Sequence, residues 1–393
     1  MSPEQPARRS APTRRGVLKG VGAGAFAAAS LGVLPLFSTP DRTQNPNTCT
    51  TRDLSNVDHS LDVSNWPIYI DQDTKKRQST MTDFEKRYGI NVTYNEDVND
   101  NVEFFGKVVN QLGSCQTTKR DLFVLTDWMA ARMIKMGWIQ KHDPGSVPNL
   151  DKNLLSSLRH VNWDPKREYS APWQSGFAGI AYNKKLVKQE VRTVDELLTR
   201  SDLRGRVTLL AEMPDTMGLV LLSDGKDPSS FSNSDFEQGV EKVKKARDSG
   251  QIRAFTGNEY VNDLLAGNVL ACFAWSGDVA SYSNIEFVVP EEGMMIWSDN
   301  MLIPNLAAHK ANAEKWINYY YEPAVAAQLA AYVNYVCPVE GAQQAMEKID
   351  KSLVDNPLIF PTPDYLKQTH SFMGMTEPQV RLFEGEFNDV AGA

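Results

Sequence analysis

The sequence predicts an α/β fold in two lobes, and three observations carry that reading. Short apolar runs alternate with amphipathic stretches along most of the chain, the pattern of strands each followed by a helix. The alternation starts afresh after Pro172, so two such series stand in tandem. Beyond the first forty residues, 353 remain, too many for one ordinary core and enough for two.

The first series opens with a strand over Leu61–Tyr69. Met81–Tyr88 follows as a helix stopped by Gly89, which can take the left-handed conformation that ends helices. Ile90–Tyr94 reads as a strand, Val102–Leu112 as a helix, Asp121–Leu125 as a buried strand, and Met129–Met136 as a helix ended by Gly137. In the second series Gly179–Asn183 and Arg206–Ala211 are strands and Val194–Arg200 a helix. Phe236–Ser249 places Phe236, Val240, Val243 and Ala246 at helical spacing. Tyr260–Ala266 is a helix and Val269–Trp275 a buried strand, while Phe287–Pro290 and Met294–Ile296 lead toward a crossing at Trp297. Residues 310–345 read as helical, and the tail from about 350 as helices punctuated by proline. Such alternation implies a mainly parallel sheet.

The N-terminus carries a targeting pattern. Thr13-Arg14-Arg15-Gly16-Val17-Leu18-Lys19 has the form of a twin-arginine export motif, the uncharged Gly20–Phe37 follows as its apolar region, and Ser38-Thr39-Pro40 ends it. The many small residues of that region favour a cleaved signal over residues 1–40 rather than a membrane anchor, although its length would suffice to span. Residues 41–60 read as a polar linker. Lipidation at Cys49 is disfavoured because Pro46-Asn47-Thr48 lacks the small and apolar residues of a lipoprotein cleavage site.

The chain holds 41 basic and 49 acidic residues; the leader takes five of the former and one of the latter, leaving a net charge of −12. That charge opposes a nucleic-acid partner and is compatible with a cationic ligand. Cys49, Cys115, Cys272 and Cys337 lie far apart with no C-x-x-C pair, so one or two structural disulfides are expected rather than a metal cluster. Cys272 and Cys337 both flank candidate cleft segments and are one pairing to consider; connectivity stays open.

Four segments pair a large ring with a polar or acidic group: Asn65-Trp66-Pro67-Ile68-Tyr69, Tyr169–Gln174, Ala274-Trp275-Ser276-Gly277-Asp278 and Ile296-Trp297-Ser298-Asp299. A cleft walled by indoles and floored by carboxylates suits a cation with an apolar body. The ring faces attract positive charge and cover methylenes, while carboxylates hold the ammonium ends.

Asn65-Trp66 with Tyr69, Gly137-Trp138-Ile139-Gln140-Lys141, Tyr169-Ser170-Ala171-Pro172, Trp275-Ser276-Gly277, Trp297-Ser298-Asp299 with Leu302-Ile303-Pro304, and Asn334-Tyr335 occur in an order and spacing that resembles the substrate-binding proteins of bacterial polyamine (spermidine/putrescine) ABC importers. The resemblance runs from about residue 61 to the C-terminal region. It implies a periplasmic-binding-protein-like fold of type II, with hinge-crossing strands between residues 61–172 plus 297–345 as one lobe and 173–296 plus 346–393 as the other. It also implies a membrane permease and ATPase as partners and a monomeric, periplasmic or surface-associated receptor with no cofactor and no catalysis.

By the same resemblance Trp66, Tyr69, Trp275, Trp297 and Tyr335 match an aromatic box, Asp299 a carboxylate that pairs with a ligand amine, and Trp128 the place of a tyrosine pair. The chain departs from the family pattern at Pro67 and Ile68, and at Met213 and Thr216 where the family has amine-binding acids. Glu212 and Asp215, each one residue away, are candidate substitutes; Asp127 and Asp278 are further acids near the cleft. Asp215 reads equally as a helix cap, Asp278 as a cap of the helix after Gly277, and Trp173 and Gln174 as hinge residues. These departures point to a ligand with one fewer amine, or another organic cation.

Tyr319-Tyr320-Tyr321 stands inside a helical stretch, so its rings point to different faces and read as packing rather than as ligands for ferric ion. The five histidines show no metal-binding spacing, and no nucleophile elbow or P-loop is present. The competing readings are a receptor for ferric ion or an anion, and a secreted enzyme on the same scaffold.

Overall fold

β1 (Ser60–Asn65) begins the ordered core, and it stops where Pro67 withholds an N–H from the ladder and Ile68 turns to φ 61°. The expected strand through Tyr69 is therefore four residues too long. In this computed structural model residues 49–392 are described; the leader and most of the linker lie outside the described residues. No described helix is long and apolar enough to cross a membrane.

Elements then follow nearly as the pattern foretells: α1 (Thr80–Tyr88), β2 (Asn91–Glu96), α2 (Asn101–Gly113), β3 (Leu122–Thr126), α3 (Asp127–Lys135) and a short α4 (Pro148–Asn153). Their ends have local causes. Ser79 accepts from the Thr82 N–H at the start of α1, Gly89 closes it at φ 65°, and Asp100 caps α2 through the Glu103 N–H.

The second series runs β4 (Ser170–Asn183), α5 (Val194–Thr199), β5 (Val207–Leu210), α6 (Met213–Ser223), α7 (Asn233–Asp248), β6 (Ile252–Thr256), α8 (Tyr260–Ala266), β7 (Ala271–Trp275), α9 (Ser276–Ala280) and β8 (Ile285–Val288). β9 (Met294–Leu302) recrosses the molecule before α10 (Lys310–Tyr320), α11 (Pro323–Val333), α12 (Ala342–Met346), α13 (Pro363–Leu366), β10 (Thr369–His370) and α14 (Glu377–Ala391). The stretch expected to be helical over 310–345 breaks into three. Pro323, lacking an N–H, can only begin a helix, and Asn334 ends that helix in the left-handed region at φ 57°.

The strands form one sheet in the order β2-β1-β3-β9-β4-β7-β5-β6, with β8 added to β4 and β10 to β9. Each half keeps a parallel group, β1 with β2 and β3, and β5 with β6 and β7. β4 and β9 join the halves as long antiparallel crossing strands, so the sheet is mixed rather than mainly parallel. All fourteen residues of β4 are buried, which removes the polar alternation that would have shown its full length in the sequence. α14 closes on the second half by stacking Phe383 on Phe236 of α7 and setting Phe387 edge-on to Phe255 of β6.

Cys49 is bonded to Cys115, so its sulfur is not available for a lipid. The suggested Cys272–Cys337 pair does not form. Cys272 is buried mid-strand in β7, and Cys337 is buried where its N–H bonds the Ile359 carbonyl. The tyrosine run packs as expected: the hydroxyls of Tyr319, Tyr320 and Tyr321 bond the Thr80 carbonyl, the Thr80 hydroxyl and the Pro172 carbonyl.

Candidate functional site

Four parallel strands, two from each half, end at one cavity. Trp66, Pro67 and Tyr69 follow β1, Thr126 ends β3, Glu212 and Asp215 follow β5, and Trp275 ends β7 with Asp278 just beyond. The carboxyl edge of parallel strands is where such folds leave a crevice. Asp299 and Trp297 enter from β9, and Tyr335 and Asn258 complete the lining. The free space is about 30 Å³, room for little more than a water or two, so the rings and carboxylates nearly fill the site.

Rings make up most of the wall. Trp173, Tyr69, Tyr335 and Trp297 form a chain of edge-on contacts, with centroids 6.5, 5.4 and 5.3 Å apart in turn. Opposite them Trp66 meets Trp275 edge-on at 6.1 Å. A bulge in the β4–β9 pairing lets Trp173 and Gln174 together face Asp299. The Trp173 indole then donates to the Tyr69 carbonyl at 3.3 Å and stacks on Trp316, so Trp173 holds the wall from behind without lining the cavity. Ile68 is exposed in a backbone region that β-branched residues avoid, and the turn it makes brings Tyr69 back inward.

The carboxylates are held without a base. Glu212, Asp215 and Asp299 are buried and Asp278 is half-buried, yet no Lys, Arg or His lines the cavity among the described residues. Asp215 accepts from the Trp275 indole at 2.7 Å, and Asp278 from Tyr335 at 2.7 Å, Asn258 at 2.7 Å and Tyr260 at 2.9 Å. Neither is a helix cap: α6 and α9 start after Glu212 and Trp275, with no side-chain cap bond. Glu212 reaches across the halves to accept from the Asn101 backbone and side-chain amides at 2.8 and 3.0 Å.

Burial is the main force on all four. It raises Asp215 to about 7 and pushes Asp299 and Glu212 well above the carboxylate range, Glu212 further through nearby Asp100. Asp278 rises less, because three donors hold its charged form. Asp299 Oδ1, Tyr69 Oη, Asn258 Oδ1 and the indole nitrogens of Trp66 and Trp297 are buried with no hydrogen bond of ordinary geometry. Buried polar atoms normally have one, so these five are the atoms the cavity offers to a guest.

Nine of the ten residues singled out in the sequence thus surround one space. Trp128 does not: it sits in the first turn of α3 and faces a neighbouring hollow. It lies two residues past Thr126, which lines the cavity in its place. Thr126, Pro67 and Asn258 were missed. The end of β3 was a usable signal for Thr126, whereas Asn258 lies in a loop whose neighbours carry no pattern.

Gly176 of β4 makes close ring packing possible. A Cβ there would sit inside contact distance of the Trp297 ring and 2.8 Å from Tyr335 Cδ1. Gly176→Ala should weaken cation binding roughly tenfold by displacing one ring, and cost about 1–3 kcal/mol of stability through overpacking. Calorimetric titration and chemical denaturation measure the two effects.

Two lobes joined by crossing strands, with an acidic, ring-walled site at the strand ends between them, define a solute receptor of the periplasmic-binding type. The chain belongs to the bacterial extracellular solute-binding protein family, whose model matches residues 79–361. It is 29% identical over 330 residues to the putrescine-binding periplasmic protein PotF of Escherichia coli, covering 78% of this chain and 84% of that one. With the spermidine/putrescine-binding periplasmic protein 1 of Haemophilus influenzae it shares 26% identity over 294 residues, 74% and 79% of the two chains. A solved structure described as a putative spermidine/putrescine ABC transporter from Listeria monocytogenes superposes with a TM-score of 0.74 at 25% identity, covering 84% of this chain and 98% of that one.

Proposed function

We propose that the protein captures a polyamine-type cation in this cavity and delivers it to the permease and ATPase of an ABC importer. The carrying observation is four converging carboxylates, three of them buried, among aromatic rings with no basic side chain to neutralise them. An ammonium group supplies the missing countercharge, and the alkyl body lies between Trp66, Trp275 and Trp297. Each charge-assisted bond contributes about 1.5–3 kcal/mol and each ring contact about 0.5–2. A few of these reach the roughly −8 kcal/mol of micromolar binding. The curated relatives named for putrescine and spermidine support the same reading.

The protein acts as an exported monomer, sent by the twin-arginine route. Its lobes are residues 61–172 with 297–345, and 173–296 with 346–393. Closure works by differential affinity, since a ligand held by Asp299 and Tyr69 from one side and Asp215 and Asp278 from the other favours the form that joins them.

A thermal-shift and titration panel at pH 8 tests this with putrescine, spermidine, glutamate, phosphate and ferric ion. The two amines should raise the melting temperature and bind at micromolar Kd or tighter. A response to phosphate, glutamate or iron with none to the amines would overturn it.

A further inference from the structure

Beside the cavity lies a larger hollow of about 830 Å³ that shares its wall at Thr126, Glu212, Asp215 and Trp297. The two spaces differ in chemistry. The inner one is acidic, whereas the outer one is lined chiefly by apolar side chains: Trp128, Trp163, Ile296, Phe372, Met373 and Met375. Of its own acids, Asp127 already accepts from Asn300 at 2.7 Å and Glu377 grips Arg132 through two bonds of 2.9 and 3.0 Å. Lys135 and His160 stand exposed at its outer edge. A second ammonium group would meet those bases and find no free carboxylate beyond the shared wall.

Trp128 points to what the hollow takes. It is half-buried and packs against the core on one side, while on the other it lines the hollow, and among the described tryptophans it alone makes no hydrogen bond, ring pair or cation contact. The facing segment is held in place, with the Met373 N–H bonding the Pro228 carbonyl at 2.9 Å and Phe372 packed on Phe231. A hollow walled largely by apolar and aromatic side chains, directly beside a cation cavity, suits an apolar ring.

We propose that the hollow houses an apolar, aromatic substituent on one end of the bound cation, so that the ligand class extends to N-substituted polyamines. The inference rests on the cation reading above. Met373 and Met375 suit such a role, because thioethers adapt to rings of differing shape.

The probes are putrescine and N-benzylputrescine, which carry the same charges and differ by one ring. Titrated into the full-length protein, the benzyl compound should bind roughly three- to tenfold more tightly, the worth of one ring stacked on indole. Gly374 is an exposed residue of the hollow's lining with nothing within 4 Å of a Cβ position, so Gly374→Trp is tolerated and adds an indole at the rim. That variant should abolish the benzyl compound's advantage and leave putrescine affinity unchanged. Trp128→Ala should shrink the ratio of the two affinities. Equal or weaker binding of the benzyl compound by the unaltered protein, or equal losses for both compounds in Gly374→Trp, would overturn the proposal. Failure of both amines to bind removes the cation reading and this one together; putrescine binding with the benzyl compound rejected removes this one alone.

Discussion

Asp299→Asn should weaken capture of a diamine by roughly 10–150-fold while making the ligand-free protein more stable. The two signs are opposite for one reason. Asp299 is 3% exposed, its Oδ1 makes no hydrogen bond of ordinary geometry, and the Tyr69 hydroxyl beside it only partly offsets the cost of burying its charge. Ligand-free, the side chain must either bury a charge or take up a proton. With an ammonium group present the same carboxylate makes a charge-assisted bond in a dry site. The amide keeps the shape and removes the charge. Denaturation at pH 8 should therefore show a gain of about 1–3 kcal/mol, and titration with putrescine a loss of affinity. An unchanged Kd would remove Asp299 from the site; a loss of stability with the loss of affinity would point to a structural part for it instead.

Acidification should stabilise the ligand-free protein and weaken its ligand. Asp215 titrates near 7 in the folded chain, against 3.8 as its ordinary value. A carboxyl whose folded pKa is raised binds more protons folded than unfolded across that interval. Its stabilisation is complete below the unfolded pKa and is lost as pH rises through the folded one. Asp299 and Glu212 shift the same way. Between pH 5 and pH 7 Asp215 alone changes stability by roughly 2–3 kcal/mol, at 1.36 kcal/mol per unit. Ligand-free protein should thus melt at a higher temperature at pH 5 than at pH 8. A cation binds the ionised form and must displace those protons, so its affinity should fall up to tenfold per unit below about pH 7 for each proton displaced. Calorimetry in two buffers of different ionisation enthalpy counts the protons released. A diamine affinity independent of pH from 5 to 8 would show that these carboxylates are not its partners.

Much of this site was legible beforehand because of how strands end. In parallel α/β folds the residue after a strand faces the crevice, so a Trp or Asp at the close of an apolar run is informative. Trp66, Tyr69, Trp275, Asp278, Trp297 and Asp299 were all found on that signal or beside it, and the family pattern added Tyr335 and, one residue from two of its acid positions, Glu212 and Asp215. Trp128 misled because it sits two residues past a strand end, where helix geometry had already turned it aside. Asp215 and Asp278 could not be told from helix caps in the sequence. The choice depended on Trp275, Tyr260, Asn258 and Tyr335, which come from other parts of the chain.

The amino-acid order alone determined the alternating elements, the two-series layout and the stop at Gly89, since each depends on residues within a few positions of one another. Only the folded chain decided the full reach of β4, the Cys49–Cys115 bond, the placing of Trp173 behind the wall, and the basicity of the carboxylates. Those follow from partners up to two hundred residues apart and from exclusion of water, and neither distance in space nor burial is written in local pattern.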